Sequence, residues 1–330
     1  MENWHKARTE TLSEGKKNMI GIPFIVIGVL FLYFGAEYLV RGGSSIALIA
    51  GIKKIVIGLT IVSFGTSLPE FIVSFFSALK KVDSVCVGNV VGSNVINILL
   101  VLGIASVVRP IKSSGRVMSL DMPFLIFLSL VFSFLCIDGL LSRVDGAILF
   151  LLFVAYLWYI LKKGKKESFN GLKEGREKGS VLKYTLFTVG GLIGLVVGGH
   201  LTVRGAVIVA KSFGIPELFI GLTVVALGTS LPELFTSVVA MIKKEEEISL
   251  GNIIGSNLFN LAFILGFISI FNPLIIEQEV IRFNNIFMVG VTFLLSLFLY
   301  TGKKISRGEG IIFIVLYALF VTKLIVGLNK

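Results

Sequence analysis

The sequence contains few of the residues that usually form metal centres, disulfides or catalytic sites. Its 330 residues include only two histidines, His5 and His200, and two cysteines, Cys86 and Cys136. Two histidines are too few for a histidine-rich zinc or iron site. The cysteines lie in apolar surroundings without a CxxC pattern, so we expect buried thiols with no disulfide or metal role.

The chain also carries little charge. Asp, Glu, Lys and Arg make up 15% of the residues, against about 25% in a typical soluble domain. The net charge of +11 is scattered between apolar segments rather than along one face, which argues against a nucleic-acid partner. No nucleophile–base pair, metal triad or phosphate-binding loop is present, so we expect neither an enzyme nor a bound cofactor.

Long apolar runs dominate the sequence and predict an all-α polytopic protein that spans the lipid bilayer. Hydrophobic residues make up 55% of the chain, and the mean hydropathy is +0.93. A helix that crosses a bilayer needs about 20 mostly apolar residues. Ten runs approach or exceed this length: 21–48, 55–79, 85–107, 121–137, 145–162, 182–210, 217–242, 248–271, 283–300 and 309–328.

Two polar segments lie outside these runs, one before the first run and one between the fifth and the sixth. The linker 163–180 is rich in Lys, Glu and Gly and has no apolar face, so it predicts a solvated loop. Residues 1–18 are polar, lack the pattern of a signal peptide and end where Met19 opens the first apolar run. We expect residues 1–18 to be a dispensable tail or the product of a start upstream of the native one.

The sequence repeats itself with a shift of 163 residues. GLTIVSFGTSLPE begins at Gly58 and GLTVVALGTSLPE at Gly221, while GNVVGSNVIN begins at Gly88 and GNIIGSNLFN at Gly251. The repeat predicts two homologous five-helix halves, 19–162 and 181–330, with their motif regions at 58–103 and 221–266. Because five spans per half is an odd number, the second half enters from the opposite side and the repeats are inverted, as in many transporters.

The basic residues predict the orientation in the membrane. Of the 31 Lys and Arg residues, 18 lie in loops on the linker side and 11 on the opposite side; Arg41 and Arg204 lie inside the first helix of each half. The positive-inside rule therefore predicts a cytoplasmic linker and outside termini, in a multi-pass protein of the cell membrane.

The stretch GTSLPE, at 65–70 and again at 228–233, places a proline and a glutamate in the middle of an apolar span. Pro69 has no N–H and its ring clashes with the residue-65 carbonyl, so the helix should break and free backbone carbonyls. Glu70 and Glu233 are costly charges at this depth and therefore predict function. Pairing with Lys or Arg is the alternative, but neither occurs at comparable depth in the sequence. A bound cation is the simpler counter-charge.

The second motif adds a polar stripe to an otherwise apolar helix. Its residues recur at every fourth position, which places them on one helix face. They are Asn89, Ser93 and Asn97 in the first half and Asn252, Ser256 and Asn260 in the second. Polar side chains and the motif glycines can also serve helix packing. For Asn89 and Asn252 both interpretations stay open, whereas the other four are favoured as ligands.

Together these residues provide carboxylates, hydroxyls, amides and freed carbonyls, but no thiol or imidazole. Ligand sets made only of oxygen suit Ca²⁺, Mg²⁺ or Na⁺ rather than Zn²⁺ or Cu²⁺. Two carboxylates match one Ca²⁺ in charge, and loss of that ion would leave two negative charges in an apolar interior. Na⁺ or H⁺ must then replace it, which favours exchange over leak.

The paired GTSLPE and GNxxGSNxxN motifs resemble the two alpha repeats of the Ca²⁺/cation antiporter superfamily, and are most similar to the prokaryotic sodium/calcium exchangers. The resemblance covers almost the whole chain and implies broken ion-binding helices, a central Ca²⁺ site, flanking Na⁺ sites and alternating access in which the first helix of each half slides. The implied ligands are the carboxylates of Glu70 and Glu233, backbone oxygens and hydroxyls of the break segments, and polar side chains of the stripe. The remaining members of this set are Ser63, Thr66, Ser67, Ser93, Asn97, Ala226, Thr229, Ser230, Ser256 and Asn260.

This chain departs from some relatives at Asn97 and Asn260, where K⁺-dependent members typically carry Asp. The resemblance therefore argues against K⁺ co-transport and leaves the ion stoichiometry open. Glu37 and His200 occupy equivalent positions in the two first helices. A polar contact near a helix end is favoured for them over a role in gating or proton sensing.

The leading hypothesis is a Na⁺/Ca²⁺ antiporter that works as a monomer and exports Ca²⁺. A H⁺/Ca²⁺ exchanger is the alternative within transport, because glutamates also bind protons. A cation channel, from a different class, could use the same oxygens, but channels usually build a pore by oligomeric symmetry rather than by an internal inverted repeat.

Deletion of residues 1–18 tests the interpretation of the N-terminus. A chain that starts at Met19 keeps every apolar run and both motifs, so Na⁺-dependent ⁴⁵Ca²⁺ uptake per folded molecule should equal that of the full chain. A loss of uptake at an equal membrane level would show that the tail contributes to function.

Overall fold

The computed structural model describes residues 2–167, 181–213, 226–278 and 280–328, and most of them are helical. In a bilayer the backbone N–H and C=O groups find no water, so an apolar run satisfies them within a helix. The first half forms α1 (Glu2–Ala50), α2 (Lys54–Thr66), α3 (Leu68–Leu79), α4 (Asp83–Val108), α5 (Val117–Leu135) and α6 (Arg143–Glu167).

The second half repeats this order. It forms α7 (Val181–Ser212), α8 (Ala226–Thr229), α9 (Leu231–Ile242), α10 (Glu246–Phe271), α11 (Arg282–Gly302) and α12 (Arg307–Leu328). In the described ranges eight helices are long and apolar enough to span a membrane, and the bent pair α2–α3 adds a ninth if it counts as one span. The predicted run 217–242 is described only from Ala226 onward, as α8 and α9.

The linker prediction was wrong at its start. Helix α6 continues to Glu167, several residues into the predicted loop 163–180; residues 168–180 lie outside the described residues. Lys and Glu are good helix formers, and adding a residue to an existing helix is far easier than starting one. The apolar span therefore carries its helix into the charged segment.

Helices α4 and α10, which carry the polar stripes, form the centre of the molecule. In the most apolar stretch of each helix, 78% of α4 and 83% of α10 is buried inside the protein. The corresponding share in the other unbroken candidate spans is between 17% and 39%. Both contain a segment of wider π-type turns, Asn97–Val101 in α4 and Phe259–Ile264 in α10. Such turns are rare and often mark functional sites.

Two short strand pairs, which sequence patterns do not predict, join the halves. Strand β1 (Ile111–Lys112) pairs antiparallel with β4 (Lys304–Ile305), and β2 (Leu140–Leu141) pairs with β3 (Leu274–Ile275). Each strand has only two residues, which is too short for an alternating pattern to be recognised. The pairs connect loops of the first half to loops of the second.

Helices α1 and α7 pack against each other along a ladder of glycines. The α1 glycines at 21, 28, 35 and 42 and the α7 glycines at 191, 198 and 205 are spaced by seven residues. A Cβ atom on Gly28 would lie 2.8 Å from the Gly198 carbonyl oxygen, and one on Gly35 would lie 2.9 Å from that of Gly191. The seven-residue period keeps one seam of each helix in contact, and the missing side chains let the two backbones touch.

Neighbouring glycines of α7 test this packing. A Cβ on Gly191 would approach Leu39 N at 2.5 Å and the Gly35 carbonyl oxygen at 2.7 Å, whereas one on Gly190 meets nothing within 4 Å. We expect Gly191→Ala to destabilise the fold by about 1–3 kcal/mol through overpacking. Gly190→Ala should be neutral or slightly stabilising, because Ala is the better helix former.

Thermal unfolding of both variants in detergent measures the difference. Equal melting temperatures for Gly190→Ala and Gly191→Ala would contradict the close contact between α1 and α7.

Candidate cation-binding site

The first GTSLPE segment breaks a spanning helix in the structure. Helices α2 and α3 meet at an angle of 47°, and Ser67 between them has φ −86° and ψ 8°. The Ser67 N–H donates to the Ser63 carbonyl at 3.0 Å, and the Phe71 N–H donates to the Ser67 carbonyl at 3.1 Å. Pro69 lies in the first turn of α3 and has no N–H to offer the Gly65 carbonyl.

The second copy adopts the same local geometry. Ser230, between α8 and α9, has φ −87° and ψ 4°, and Pro232 lies in the first turn of α9. The Leu234 N–H donates to the Ser230 carbonyl at 3.1 Å. Two identical stretches of sequence thus produce two equivalent breaks, each followed at once by a glutamate.

Serines from both halves hold one oxygen of each carboxylate. Ser230 Oγ donates to Glu70 Oε1 at 3.1 Å, and Ser67 Oγ donates to Glu233 Oε1 at 2.8 Å. The stripe serine of the same half adds a second hydroxyl: Ser93 lies 3.5 Å from Glu70 Oε1, and Ser256 lies 3.2 Å from Glu233 Oε1. Each glutamate is therefore held by the break of the opposite half and the stripe of its own.

The neighbouring break residues are buried at the same place. Thr66 Oγ1 lies 3.0 Å from Asn252 Oδ1 and 3.5 Å from Ser256 Oγ, and Thr229 is 7% exposed. The Ser63 carbonyl, a predicted backbone ligand, accepts from the Ser67 N–H and also from Thr66 Oγ1 at 3.3 Å in this conformation. Its counterpart Ala226 begins α8.

Asn89 and Asn252 brace the helices around the carboxylates. Asn89 Nδ2 donates to the Glu70 carbonyl at 3.2 Å and to Ser74 Oγ at 2.9 Å. Asn252 Nδ2 makes the equivalent contacts in the second half, to the Glu233 carbonyl at 3.5 Å and Ser237 Oγ at 3.1 Å. These bonds tie each stripe helix to the backbone of its glutamate, which favours the packing role that was left open for both asparagines.

Several buried acceptor oxygens lack a hydrogen-bond donor among the described residues, and four of them lie on predicted ligands and form two equivalent pairs. These four are Glu70 Oε2, Glu233 Oε2, Asn97 Oδ1 and Asn260 Oδ1. The four residues are 0% exposed. Buried acceptors are nearly always paired in proteins, and an exception requires an explanation such as a bound ion.

Among the described residues, no ion pair joins Glu70 or Glu233 to a basic side chain. Ion pairs elsewhere join Lys54 to Glu245, Arg109 to Glu246, Arg116 to Asp121 and Lys243 to Glu37. The two arginines inside the first helices lie instead over aromatic rings of the opposite half. Arg41 is 5.7 Å from the Phe187 ring centroid, and Arg204 is 5.0 Å from that of Phe24. The alternative that Lys or Arg neutralises the glutamates finds no support here.

Glu37 and His200, equivalent in sequence, have different surroundings. Glu37 in α1 forms an ion pair with Lys243 at the end of α9, at 2.5 Å, and the nearby Ser44 donates to Glu245 at 2.9 Å. His200 is exposed. The polar contact expected for Glu37 is therefore present, and it ties α1 to the loop between α9 and α10.

Most of the sequence matches one family of membrane transporters. The profile of the family described as "Sodium/calcium exchanger protein" covers residues 20–162 and 183–326, which is most of the chain. The chain belongs to the sodium/calcium exchanger family. It is accordingly a multi-pass membrane antiporter of Na⁺ and Ca²⁺.

Individual relatives of this exchanger support the assignment. The chain is 38% identical to the Escherichia coli inner membrane protein YrbG over 77% of its length and 81% of that protein. It is 30% identical to the Methanosarcina acetivorans sodium/calcium exchanger MaX1 over 93% of its length and 99% of that protein.

A solved structure agrees with the fold of the exchanger. The sodium-calcium exchanger NCX_Mj, soaked with 2.5 mM Na⁺ and 0.1 mM Ca²⁺, superposes with a TM-score of 0.82. The two chains are 33% identical, and the match covers 92% of this chain and 98% of NCX_Mj. The all-helical membrane fold is thereby established.

Sequence reasoning missed two pairs of buried polar residues beside the predicted ligands. Ser74 and Ser237 accept from the bracing asparagines, and Asn94 and Asn257 bond to the stripe asparagines. Asn94 and Asn257 belong to the repeated GSN motif, and this repetition is the sequence signal that could have identified them. They lie outside the stripe of every fourth residue, so helical periodicity does not predict them as site residues.

Each glutamate accepts a hydrogen bond from a serine of the opposite half, and removing one of these hydroxyls tests the arrangement. Ser67→Ala should raise the Ca²⁺ concentration for half-maximal uptake roughly tenfold, because a hydrogen bond to a charged group contributes about 1.5–3 kcal/mol. The control is Ser129→Ala, which removes a buried hydroxyl that bonds only to the Leu125 carbonyl of its own helix. A Ser67→Ala variant that behaves like this control would argue against the arrangement.

Proposed function

We propose that the exchanger carries Ca²⁺ and Na⁺ alternately at one site between α2–α3, α4, α8–α9 and α10. Glu70 and Glu233 are the central ligands, and the hydroxyls, amides and backbone oxygens around them complete the set. The supporting residues are Ser63, Thr66, Ser67, Ser93, Asn97, Ala226, Thr229, Ser230, Ser256 and Asn260. The observation that carries this proposal is the set of four buried acceptor oxygens, on Glu70, Glu233, Asn97 and Asn260, that lack a hydrogen-bond donor among the described residues.

The chemistry of these oxygens favours Ca²⁺ among divalent ions. The set consists of carboxylate, hydroxyl and amide oxygens, which suit hard cations, and Ca²⁺ accepts six to eight such ligands in flexible geometry. Each carboxylate accepts a hydrogen bond from a serine of the opposite half, and one Ca²⁺ would cancel both charges. These ligand oxygens therefore fit Ca²⁺, the divalent ion that the family description names.

The same charges require a counter-ion when Ca²⁺ leaves. Two buried carboxylates without a cation are strongly unfavourable in an apolar interior, so the site returns across the membrane only when reloaded. Na⁺ is the counter-ion that the family description supports. Proton exchange has no comparable support, although glutamates can bind protons.

The strand pairs support ten spans in two inverted halves. Strand β1 follows the third span of its half and β4 precedes the last span of the other half. Corresponding loops would meet if the halves had the same orientation, yet β1 pairs with β4 and β2 with β3. Pairing of non-corresponding loops is what inversion requires, and the two segments matched by the family profile fall in the two halves.

For the orientation, we infer a cytoplasmic linker and outside termini in the cell membrane, from the excess of Lys and Arg on the linker side. The glutamates and both stripes belong to one chain, so a monomer contains every ligand. Residues 58–103 and 221–266 are then the two motif regions of halves 19–162 and 181–330.

The glycine ladder supports a sliding motion for alternating access. Helices α1 and α7 touch through their backbones. Only 28% and 22% of their most apolar stretches are buried inside the protein, against 78% and 83% for α4 and α10. A closely joined, weakly buried pair can move as one body past a fixed core. In this account α1 and α7 form the mobile unit, and the other helices hold the ions.

Neutralising either carboxylate tests the site. Glu70→Gln or Glu233→Gln keeps the side-chain shape but removes a charge, so Ca²⁺ uptake should fall by roughly a hundredfold or more. Folding should survive, because an uncompensated buried charge is removed at the same time. Glu277→Gln is the control, since Glu277 is exposed in the loop after β3. Near-normal uptake by a folded Glu70→Gln or Glu233→Gln variant would overturn the assignment.

A further inference from the structure

Four asparagines link the two central helices at the level of the candidate site. Asn97 Nδ2 in α4 donates to Asn257 Oδ1 in α10 at 3.0 Å, and Asn260 Nδ2 in α10 donates to Asn94 Oδ1 in α4 at 3.2 Å. The two bonds are equivalent under the sequence repeat. All four side chains are buried, with at most 1% of their surface exposed.

These bonds decide which end of each ligand amide is free. An asparagine amide has an acceptor oxygen and a donor NH₂, and only the oxygen can bind a cation. In Asn97 and Asn260 the NH₂ group is used by the opposite helix, while Oδ1 has no hydrogen-bond donor among the described residues. The oxygen is thereby left for the ion.

The two accepting asparagines are themselves held in one orientation. Asn257 Nδ2 donates to the Asn94 carbonyl at 3.4 Å, which turns its Oδ1 toward Asn97. Asn94 Nδ2 points at the sulfur of Met288 in α11, at 3.6 Å, which turns its Oδ1 toward Asn260. A flip of either amide would place an NH₂ group against another NH₂ group.

We propose that Asn94 and Asn257 are positioning residues that fix the amides of Asn260 and Asn97 with their oxygens toward the transported cation. The proposal rests on the cation site proposed above. Each half then orients a ligand of the other half, in the same crossed manner as the serine–glutamate bonds. Without this contact the Asn97 or Asn260 amide can rotate and present N–H groups to a cation, which repel it.

A purely structural role would also need these hydrogen bonds, so the test must separate orientation from packing. Asn97→Asp separates the two roles, because an aspartate carries oxygen in place of both the oxygen and the NH₂ group of the amide. Either rotation of its carboxylate therefore presents an oxygen to the cation. In that background the orienting role of Asn257 disappears, whereas any packing role of Asn257 remains. The experiment compares Asn257→Leu alone with Asn257→Leu in the Asn97→Asp background.

We expect Asn257→Leu alone to raise the Ca²⁺ concentration for half-maximal ⁴⁵Ca²⁺ uptake by roughly tenfold, the usual effect of losing one buried hydrogen bond. The maximal rate should stay within about twofold of the parent. In the Asn97→Asp background the same substitution should change the half-saturating concentration less than about twofold. An equal increase in both backgrounds would overturn the proposal.

Further variants keep the test decisive. Asn257→Asp retains an acceptor for Asn97 Nδ2, so its half-saturating concentration should not exceed that of the parent; if it rises as in Asn257→Leu, orientation is not the cause. If Asn257→Leu does not fold, the equivalent contact of the other half is tested in the same way, with Asn94→Leu alone and in the Asn260→Asp background. A failure of the proposed site itself has a different signature, because Asn97→Leu would then leave Ca²⁺ uptake unchanged.

Discussion

The architecture depends on two carboxylates that are fully buried and form no ion pair with a basic side chain of the described residues. Glu70 and Glu233 are 0% exposed, and one oxygen of each is held by serine hydroxyls from both halves. Such charges are tolerated in a membrane interior only when something compensates them. Under the proposed function, the need for a cation accounts both for the helix breaks that gather oxygens and for the central position of α4 and α10.

The crossed contacts make the halves one unit at the site. Ser67 bonds to Glu233, Ser230 bonds to Glu70, and the asparagine amides reach across in the same way. If the proposed site is correct, a cation bound to ligands of one half therefore also contacts groups that side chains of the other half hold in place. Outside this core, α1 and α7 pack against each other through bare backbone, so the molecule combines a hydrogen-bonded central site with a separate, closely joined pair of helices.

Much of this organisation could be predicted from the sequence, because exact repetition is a strong signal. The repeat at 163 residues predicts two halves, and proline and glutamate in apolar runs indicate the helix break and the carboxylates that are found buried. The crossed pairing of Ser67 with Glu233 could not be predicted, since helical spacing relates only residues a few positions apart and these two are separated by 166 positions. Asn94 and Asn257 were missed because helical periodicity selects one stripe, whereas contacts across α4 and α10 depend on how the two helices pack.

Coupled flux is the most direct test of the account. Purified protein in Na⁺-loaded liposomes should accumulate ⁴⁵Ca²⁺ when an outward Na⁺ gradient is imposed, and a protonophore should not stop this uptake. The uptake should vanish when Na⁺ is equal on both sides. Ca²⁺ accumulation that ignores the Na⁺ gradient and collapses with the protonophore would contradict Na⁺/Ca²⁺ exchange at the paired glutamates.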